Sequence, residues 1–124
     1  MIMTSEEMKI RTKKFSIMII DLVEKLPYSI SSKAIANQIV RSGTSGGANY
    51  RAVCRARSDR EFVAKMSIVI EEADETLFWL EILQEKNWFE KSDLESIWKE
   101  GNELTSIFVS SIKKVKSRLN ESKS

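Results

Sequence analysis

Three segments of the sequence carry the capping-box pattern, in which a Ser or Thr side chain accepts from the backbone three residues ahead and a Glu there bonds back. They are Thr4–Glu7, Ser58–Glu61 and Ser92–Glu95. Each precedes a long stretch in which apolar residues recur every three or four positions, the period of a helix that buries one face. The sequence therefore predicts three long helices whose starts are marked by side-chain chemistry.

The ends of these helices follow from the apolar periodicity and from the single proline. Pro27 forbids continuation of the first helix, because proline lacks the backbone N–H and clashes with the preceding turn. The predicted ranges are about 5–26, 59–86 and 93–119. The helix at 59–86 alternates apolar steps of four and three, which is the heptad spacing of a helix that faces other helices.

The segment 31–57 is predicted to be a fourth helix with a weak or bent middle. Its three glycines, Gly43, Gly46 and Gly47, each cost up to about 1 kcal/mol in a helix interior. They are tolerated where a neighbouring backbone passes close. Four amphipathic helices with short links and no strand signal predict an all-α fold, an antiparallel up-down-up-down four-helix bundle. At 124 residues, we expect one domain over residues 1–124.

The composition argues against several classes of function. With one cysteine, Cys54, and no histidine, the chain cannot form an internal disulfide or assemble the usual zinc ligands. Gly47 is followed by Ala48 rather than by the lysine of a phosphate-binding loop. We therefore expect a protein that is not an enzyme and has no catalytic residue, metal or cofactor. An acidic N-terminus and no apolar run near the roughly 20 residues of a membrane span predict a cytoplasmic location.

Charge is segregated along the chain. Residues 1–65 carry twelve Lys or Arg against six Asp or Glu, residues 66–103 carry three against eleven, and the tail from Lys113 has a net charge of +4. Segregated charge suits an anionic ligand or a self-complementary assembly. Pairing of opposite faces within one monomer is a third reading of the same pattern.

The segment Arg41–Arg60 is the candidate contact surface. Its arginines supply planar, bidentate donors that can neutralise several phosphates, and Arg51 and Arg55 are predicted to share a helical face. The candidate nucleic-acid-binding residues are Arg41, Arg51, Arg55, Arg57 and Arg60.

The acidic run Glu71–Glu75 offers the same arginines an alternative set of partners, within one chain or across a subunit boundary. A salt-bridged or solvated face is favoured over a cation site for these carboxylates. Tyr50 could stack on an unpaired base, but packing beside its neighbours is favoured. The candidate interface residues are Gly43, Gly47, Asn49, Tyr50, Glu71, Glu72 and Glu75.

Residues 41–83 contain an unusual order of small, basic and acidic-aromatic blocks. The blocks are Arg41-Ser-Gly-Thr-Ser, Gly47-Ala-Asn-Tyr-Arg-Ala, Arg55-Ala-Arg-Ser, Phe62-Val-Ala-Lys, and Glu72-Ala-Asp-Glu-Thr with Trp79-Leu-Glu. In this order and spacing they resemble a known family, the four-helix-bundle proteins encoded within intervening sequences of bacterial 23S ribosomal RNA genes. Gly46 departs from the expected family pattern, in which a bulkier aliphatic residue precedes the glycine at 47.

The resemblance implies a fold and an assembly more than an activity. Members of the family look like homopentamers, and they are similar to the accessory variability determinant proteins of diversity-generating retroelements, which engage a reverse transcriptase and nucleic acid. The implied partners are other copies of the chain, RNA or DNA, and a reverse transcriptase or another protein. Two hypotheses stay open. One is a homo-oligomeric adaptor that contacts nucleic acid through its basic surface; the other is a purely protein-binding scaffold whose arginines form subunit interfaces.

Overall fold

The computed structural model describes residues 3–121, which form four α-helices and no β-strand. The four helices form a square in which each lies beside two others, and within this range no Cα atom of α1 lies within 8 Å of one in α3, nor one of α2 within 8 Å of one in α4. Connections of five or six residues join consecutive helices, so neighbours run antiparallel. The predicted four-helix bundle is confirmed. The helices are α1 (Ser5–Val23), α2 (Ile30–Val53), α3 (Asp59–Glu85) and α4 (Lys91–Glu121).

Two of the three predicted helix starts are confirmed and one is wrong. The hydroxyls of Thr4 and Ser58 each accept a hydrogen bond of 3.1 Å from the backbone N–H three residues ahead, at the starts of α1 and α3. The helix predicted to start after Ser92 begins instead at Lys91. The N–H of Asp93 donates to the carbonyl of Glu90 at 3.2 Å, so a turn is already formed ahead of Ser92.

The start of α2 uses a capping box that the sequence reading missed. Ser29 Oγ accepts from the N–H of Ser32 at 3.1 Å, and Ser32 Oγ accepts from the N–H of Ser29 at 3.0 Å. Serine here takes the place of the Glu or Gln usual at the third position. The Ser-x-x-Glu pattern therefore does not detect it.

The glycines do not interrupt α2, which is continuous from Ile30 to Val53. α1 approaches closely enough that Ser16 Oγ donates to the carbonyl of Gly43 at 3.0 Å. The weak middle expected from the sequence is absent because the neighbouring helix fills the space beside Gly43. The helix ends at Val53, four residues before the predicted end, where Arg55 and Ala56 donate to carbonyls only three residues back.

The core runs the length of the bundle and includes one polar layer. Thr76 Oγ1 on α3 donates to Ser42 Oγ on α2 at 2.9 Å, with both side chains buried. Gly46 borders a small cavity of about 20 Å³ beside this layer, room for about one water molecule. The largest fully buried apolar side chains are Ile19, Ile39, Met66, Leu80, Leu83 and Leu94.

A half-buried ion pair joins α1 to α4, the pair of neighbours with the least contact. Arg11 donates two hydrogen bonds to the Glu100 carboxylate, at 2.8 and 2.6 Å, and Glu103 lies 3.2 Å from the same guanidinium. Hydrogen bonding from Arg11 lowers the pKa of Glu100. Two charge-assisted bonds in a bidentate arrangement fix the relative position of the two helices more firmly than a single contact would.

Candidate nucleic-acid interface

The five candidate arginines occupy four different settings in the fold. Arg41 lies in the middle of α2, Arg51 lies in its last turn, and Arg60 lies in the first turn of α3. Arg55 and Arg57 lie in the connection between these helices. The prediction that Arg51 and Arg55 share a helical face is wrong, because α2 ends at Val53 so that the chain can reverse into α3.

Arg41 is bound by carboxylates of its own chain. Its guanidinium lies 3.1 Å from Glu72 Oε2, and it also donates to Glu75 on the same helix, α3. The hydrogen bond from Arg41 lowers the pKa of Glu75. The structure thus brings Arg41 together with two of the predicted interface residues as a bridge between α2 and α3.

The other four arginines have exposed side chains. Within residues 3–121, no carboxylate oxygen lies within 4.0 Å of the guanidinium of Arg51, Arg55, Arg57 or Arg60. Arg60 does not stabilise α3 through the helix dipole, because the N-terminal end of a helix carries a partial positive charge that repels a cation in the first turn. These side chains are available to an anionic partner.

The fold adds a second basic segment to the same end of the bundle. Arg118 near the end of α4 contacts Asp59 at the start of α3 at 3.2 Å, so the C-terminal turns of α4 lie beside the α2–α3 connection. Residues 51–65 and 113–118 together carry nine Lys or Arg and two Asp or Glu. Sequence analysis noted the basic tail but did not assign it to the site. The antiparallel topology of the helices places residues 51–65 and residues 113–118 together. We call these two segments the basic end.

A groove between α1 and α2 extends the basic end along the side of the bundle. It has a volume of about 260 Å³ and is lined by Lys9 and Lys13 of α1 and by Arg51 of α2. Lys9 also pairs with Glu6 at 2.9 Å, while Lys13 is exposed. The lysines of α1 were not among the predicted site residues, because only their packing against α2 brings them near Arg51.

Several predicted interface residues make contacts between helices of one chain. Gly43 and Gly47 lie where α1 crosses α2. The buried ring of Tyr50 packs on Phe108 of α4 with 5.7 Å between ring centroids, which leaves it no free face for stacking on a base. Burial is the main cause of a raised pKa of the Tyr50 hydroxyl, and the nearby Cys54 thiol raises that pKa further.

The remaining predicted interface residues lie closer to the surface. The Asn49 amide donates to the carbonyl of Ser45 one turn back at 2.9 Å. Glu71 is exposed and has no ion pair within residues 3–121. Within residues 3–121, no cluster of His, Cys, Asp or Glu could hold a metal ion. In the same range, no helix is both long enough and apolar enough to cross a membrane.

An all-α bundle of four helices that is basic at one end defines the structural class. The sequence profile of the 23S rRNA-intervening sequence protein family matches residues 6–110. The chain belongs to this family, as its resemblance in residues 41–83 implied.

One solved structure similar to the chain is that of a protein with unknown function from the S23 ribosomal protein family of Bacteroides thetaiotaomicron VPI-5482. The two sequences are 33% identical, and the match covers 86% of this chain and 98% of that one with a TM-score of 0.76. Comparison with curated proteins found no match. The structural comparison supports the four-helix fold independently of the profile.

Proposed function

We propose that this protein is a non-enzymatic, homo-oligomeric accessory protein that contacts RNA or DNA through its basic end. The observation that carries the proposal is that residues 51–65 and 113–118, which are far apart in sequence and rich in Lys and Arg, meet at one end of the bundle. Exposed cations gathered on one surface bind phosphates and release condensed counterions.

The assembly proposed is a homopentamer, and its support is the family resemblance. A reverse transcriptase or another protein is proposed as a further partner on the resemblance to accessory proteins of retroelements that the sequence suggested. In this arrangement the bundle supplies a rigid support, and binding depends on charge and shape rather than on base-specific contacts.

The test is a salt series of RNA and DNA binding by the wild type and by the double variant Arg51→Glu/Arg55→Glu. Because each phosphate contact contributes about −0.9 to the slope of log K against log salt, the variant should reduce that slope by about two or more. Both side chains are exposed, so the fold and the oligomer mass should be unchanged.

The matched control is Lys25→Glu/Lys33→Glu, which makes the same change in net charge at the opposite end of the bundle. It should retain most of the affinity. Equal loss in both double variants would show that net charge alone governs binding and would overturn the assignment to the basic end.

The second candidate is a protein-binding scaffold in which arginines close interfaces and no nucleic acid takes part. The exposed Arg51 and Arg55 would serve it, because Arg41 is already bound by Glu72 and Glu75 of its own chain. If Arg51→Glu/Arg55→Glu falls to monomers while the wild type is an oligomer, these arginines serve subunit contacts and the scaffold is the better account.

A further inference from the structure

The groove between α1 and α2 has a different chemistry at each of its two ends. The two helices are level where Ser16 Oγ of α1 donates to the carbonyl of Gly43 of α2. Because the helices are antiparallel, Lys9 and Arg51 come level about two helical turns further along. The groove therefore runs from hydroxyl groups near the middle of the bundle to cations at the basic end.

The cationic end of the groove carries three positive side chains, Lys9, Lys13 and Arg51. Within residues 3–121, neither Lys13 nor Arg51 has a carboxylate oxygen within 4.0 Å. Lys9 pairs only with Glu6, whose side chain is 78% exposed, and such a surface pair is weak. Cations gathered along a groove attract the phosphates of a nucleic-acid strand.

The hydroxyl end of the groove offers hydrogen-bond acceptors. Thr44 Oγ1 donates to the carbonyl of Val40 at 2.7 Å. Ser16 Oγ donates to the carbonyls of Thr12 and Gly43, at 3.1 and 3.0 Å. A hydroxyl has one hydrogen and two lone pairs, so these bonds occupy the hydrogens and leave the lone pairs. Both side chains are half-buried in the groove, and within residues 3–121 no group donates to either oxygen.

A ligand that suits both ends carries negative charge and also a hydroxyl donor. A nucleotide of RNA has both, because its ribose 2′-hydroxyl can donate, and DNA lacks this group. Thr44 and Arg51 are seven residues apart on α2, a rise of about 10 Å, which corresponds to about three nucleotides of one strand. Between them the exposed Ala48 leaves the groove open for a sugar.

We propose that the α1–α2 groove binds a strand of RNA, with its phosphates against the three cations and a ribose 2′-hydroxyl donating to Thr44 Oγ1. The inference rests on the proposed nucleic-acid contact and selects RNA over DNA. Thr44 is the acceptor because its hydroxyl bonds only within α2, whereas the hydroxyl of Ser16 is part of the contact between helices. A hydroxyl that already donates is also a stronger acceptor.

The selection arises from an unmet acceptor. A DNA strand in the groove would exclude water from Thr44 Oγ1 and offer it no donor, and a polar atom left without a partner costs binding free energy. The preference concerns the sugar rather than the bases, because the ring of Tyr50, next to Arg51 in α2, is buried against Phe108.

The test compares three oligonucleotides of one sequence and length: RNA, its 2′-fluoro analogue, and DNA. The 2′-fluoro analogue keeps the sugar conformation of RNA but has no 2′-hydroxyl to donate. At one fixed salt concentration, the wild type should bind RNA about fivefold more tightly than the 2′-fluoro analogue, the value of one neutral hydrogen bond. Thr44→Val should bind these two equally and keep the wild-type affinity for the 2′-fluoro analogue. Fluorescence anisotropy measures the affinities.

The matched control is Thr105→Val. Thr105 is half-buried on α4, outside the groove, and its hydroxyl makes the same bond one turn back, 2.7 Å to the carbonyl of Gly101. This variant should keep the fivefold preference. A second variant, Ala48→Leu, fills the groove from an exposed position and should abolish the preference without removing any hydroxyl. Far-UV circular dichroism of each variant verifies the helical fold.

Two results would overturn the groove and leave the proposed function standing. One is equal affinity of the wild type for RNA and the 2′-fluoro analogue, and the other is a preference for RNA that persists in Thr44→Val or in Ala48→Leu. If the wild type binds none of the three oligonucleotides even at low salt, the proposed nucleic-acid contact and the RNA groove are both wrong.

Discussion

The two sides of α2 are built by different means. Toward α1 the contact depends on close approach of the helix backbone, since a Cβ added at Gly43 would lie 2.9 Å from Cγ2 of Ile19, and the carbonyl of the same glycine accepts a hydrogen bond from Ser16. Toward α3 the contact is polar, through the Arg41 ion pairs and the hydrogen bond between Ser42 and Thr76. Gly46 is close to neither, because a Cβ there would meet no heavy atom within 4 Å.

The comparison shows that neighbouring glycines in one helix have unrelated roles. At Gly43 the absence of a side chain allows α1 to approach, and burial of Ile19 against α2 depends on it. At Gly46 the helix bears the conformational cost of glycine without a close contact in return. Gly46 borders the small cavity beside the Ser42–Thr76 layer, and α2 remains continuous there.

The largest expected effect tests the steric side. Gly43→Val should destabilise the protein by about 3 kcal/mol, at the upper end of overpacking costs, because the buried Ile19 side chain has little room to move. Urea unfolding followed by circular dichroism at a fixed protein concentration measures it. Gly46→Val is the matched control and should change stability by less than about 1 kcal/mol. Equal losses at the two sites would contradict the steric account.

A smaller effect of opposite sign should come from Gly46→Ala. Alanine removes the helix-interior cost of glycine and meets no obstacle, so the free energy of unfolding should rise by up to about 1 kcal/mol. The same urea measurement applies. Gly43→Ala, which introduces the short contact with Ile19, should not share the gain, and a similar rise in both variants would refute the distinction between the two glycines.

The smallest effect concerns the polar side and depends on pH. The folded-state pKa of Glu75 is lowered chiefly by its hydrogen bond from Arg41, so the pair stabilises the fold above the ordinary glutamate pKa of about 4.3. That contribution is lost as pH falls through the lowered pKa.

The corresponding variant is Arg41→Gln. Its urea midpoint should lie slightly below that of the wild type at pH 7, and the difference should shrink in acid. Arg51→Gln, at an arginine with no carboxylate within 4 Å in residues 3–121, should show no such pH-dependent difference. A gap for Arg41→Gln that stays constant from neutral to acidic pH would rule out the ion pair as its cause.

The sequence predicted the fold more completely than the site. Helical periodicity and the caps at Thr4 and Ser58 are local properties, and they indicated the bundle correctly. The predicted start at Ser92 was wrong because a turn that begins at Glu90 precedes Ser92 in the chain. The start at Ser29 was missed because serine replaces glutamate in its capping box.

The structure separates the five candidate arginines, whose role in binding stays a prediction. Four exposed arginines of the segment 51–60 lie at one end of the bundle, but Arg41 is bound by Glu72 and Glu75 across the α2–α3 contact. Partner choice between two long, flexible charged side chains depends on distances that the linear sequence does not contain. The same limit applies to Lys13, whose proximity to Arg51 exists only through packing of α1 against α2.

By itself the sequence determined the number and character of the helices, the excess of positive charge in two segments and the family to which the chain belongs. The tertiary structure alone decided that those two segments meet at one end, that Arg41 is paired, and that α1 and α3 lie diagonally across the bundle. Helix formation is governed by neighbours within about four residues. Charge convergence and surface exposure are governed by contacts between residues far apart in the chain.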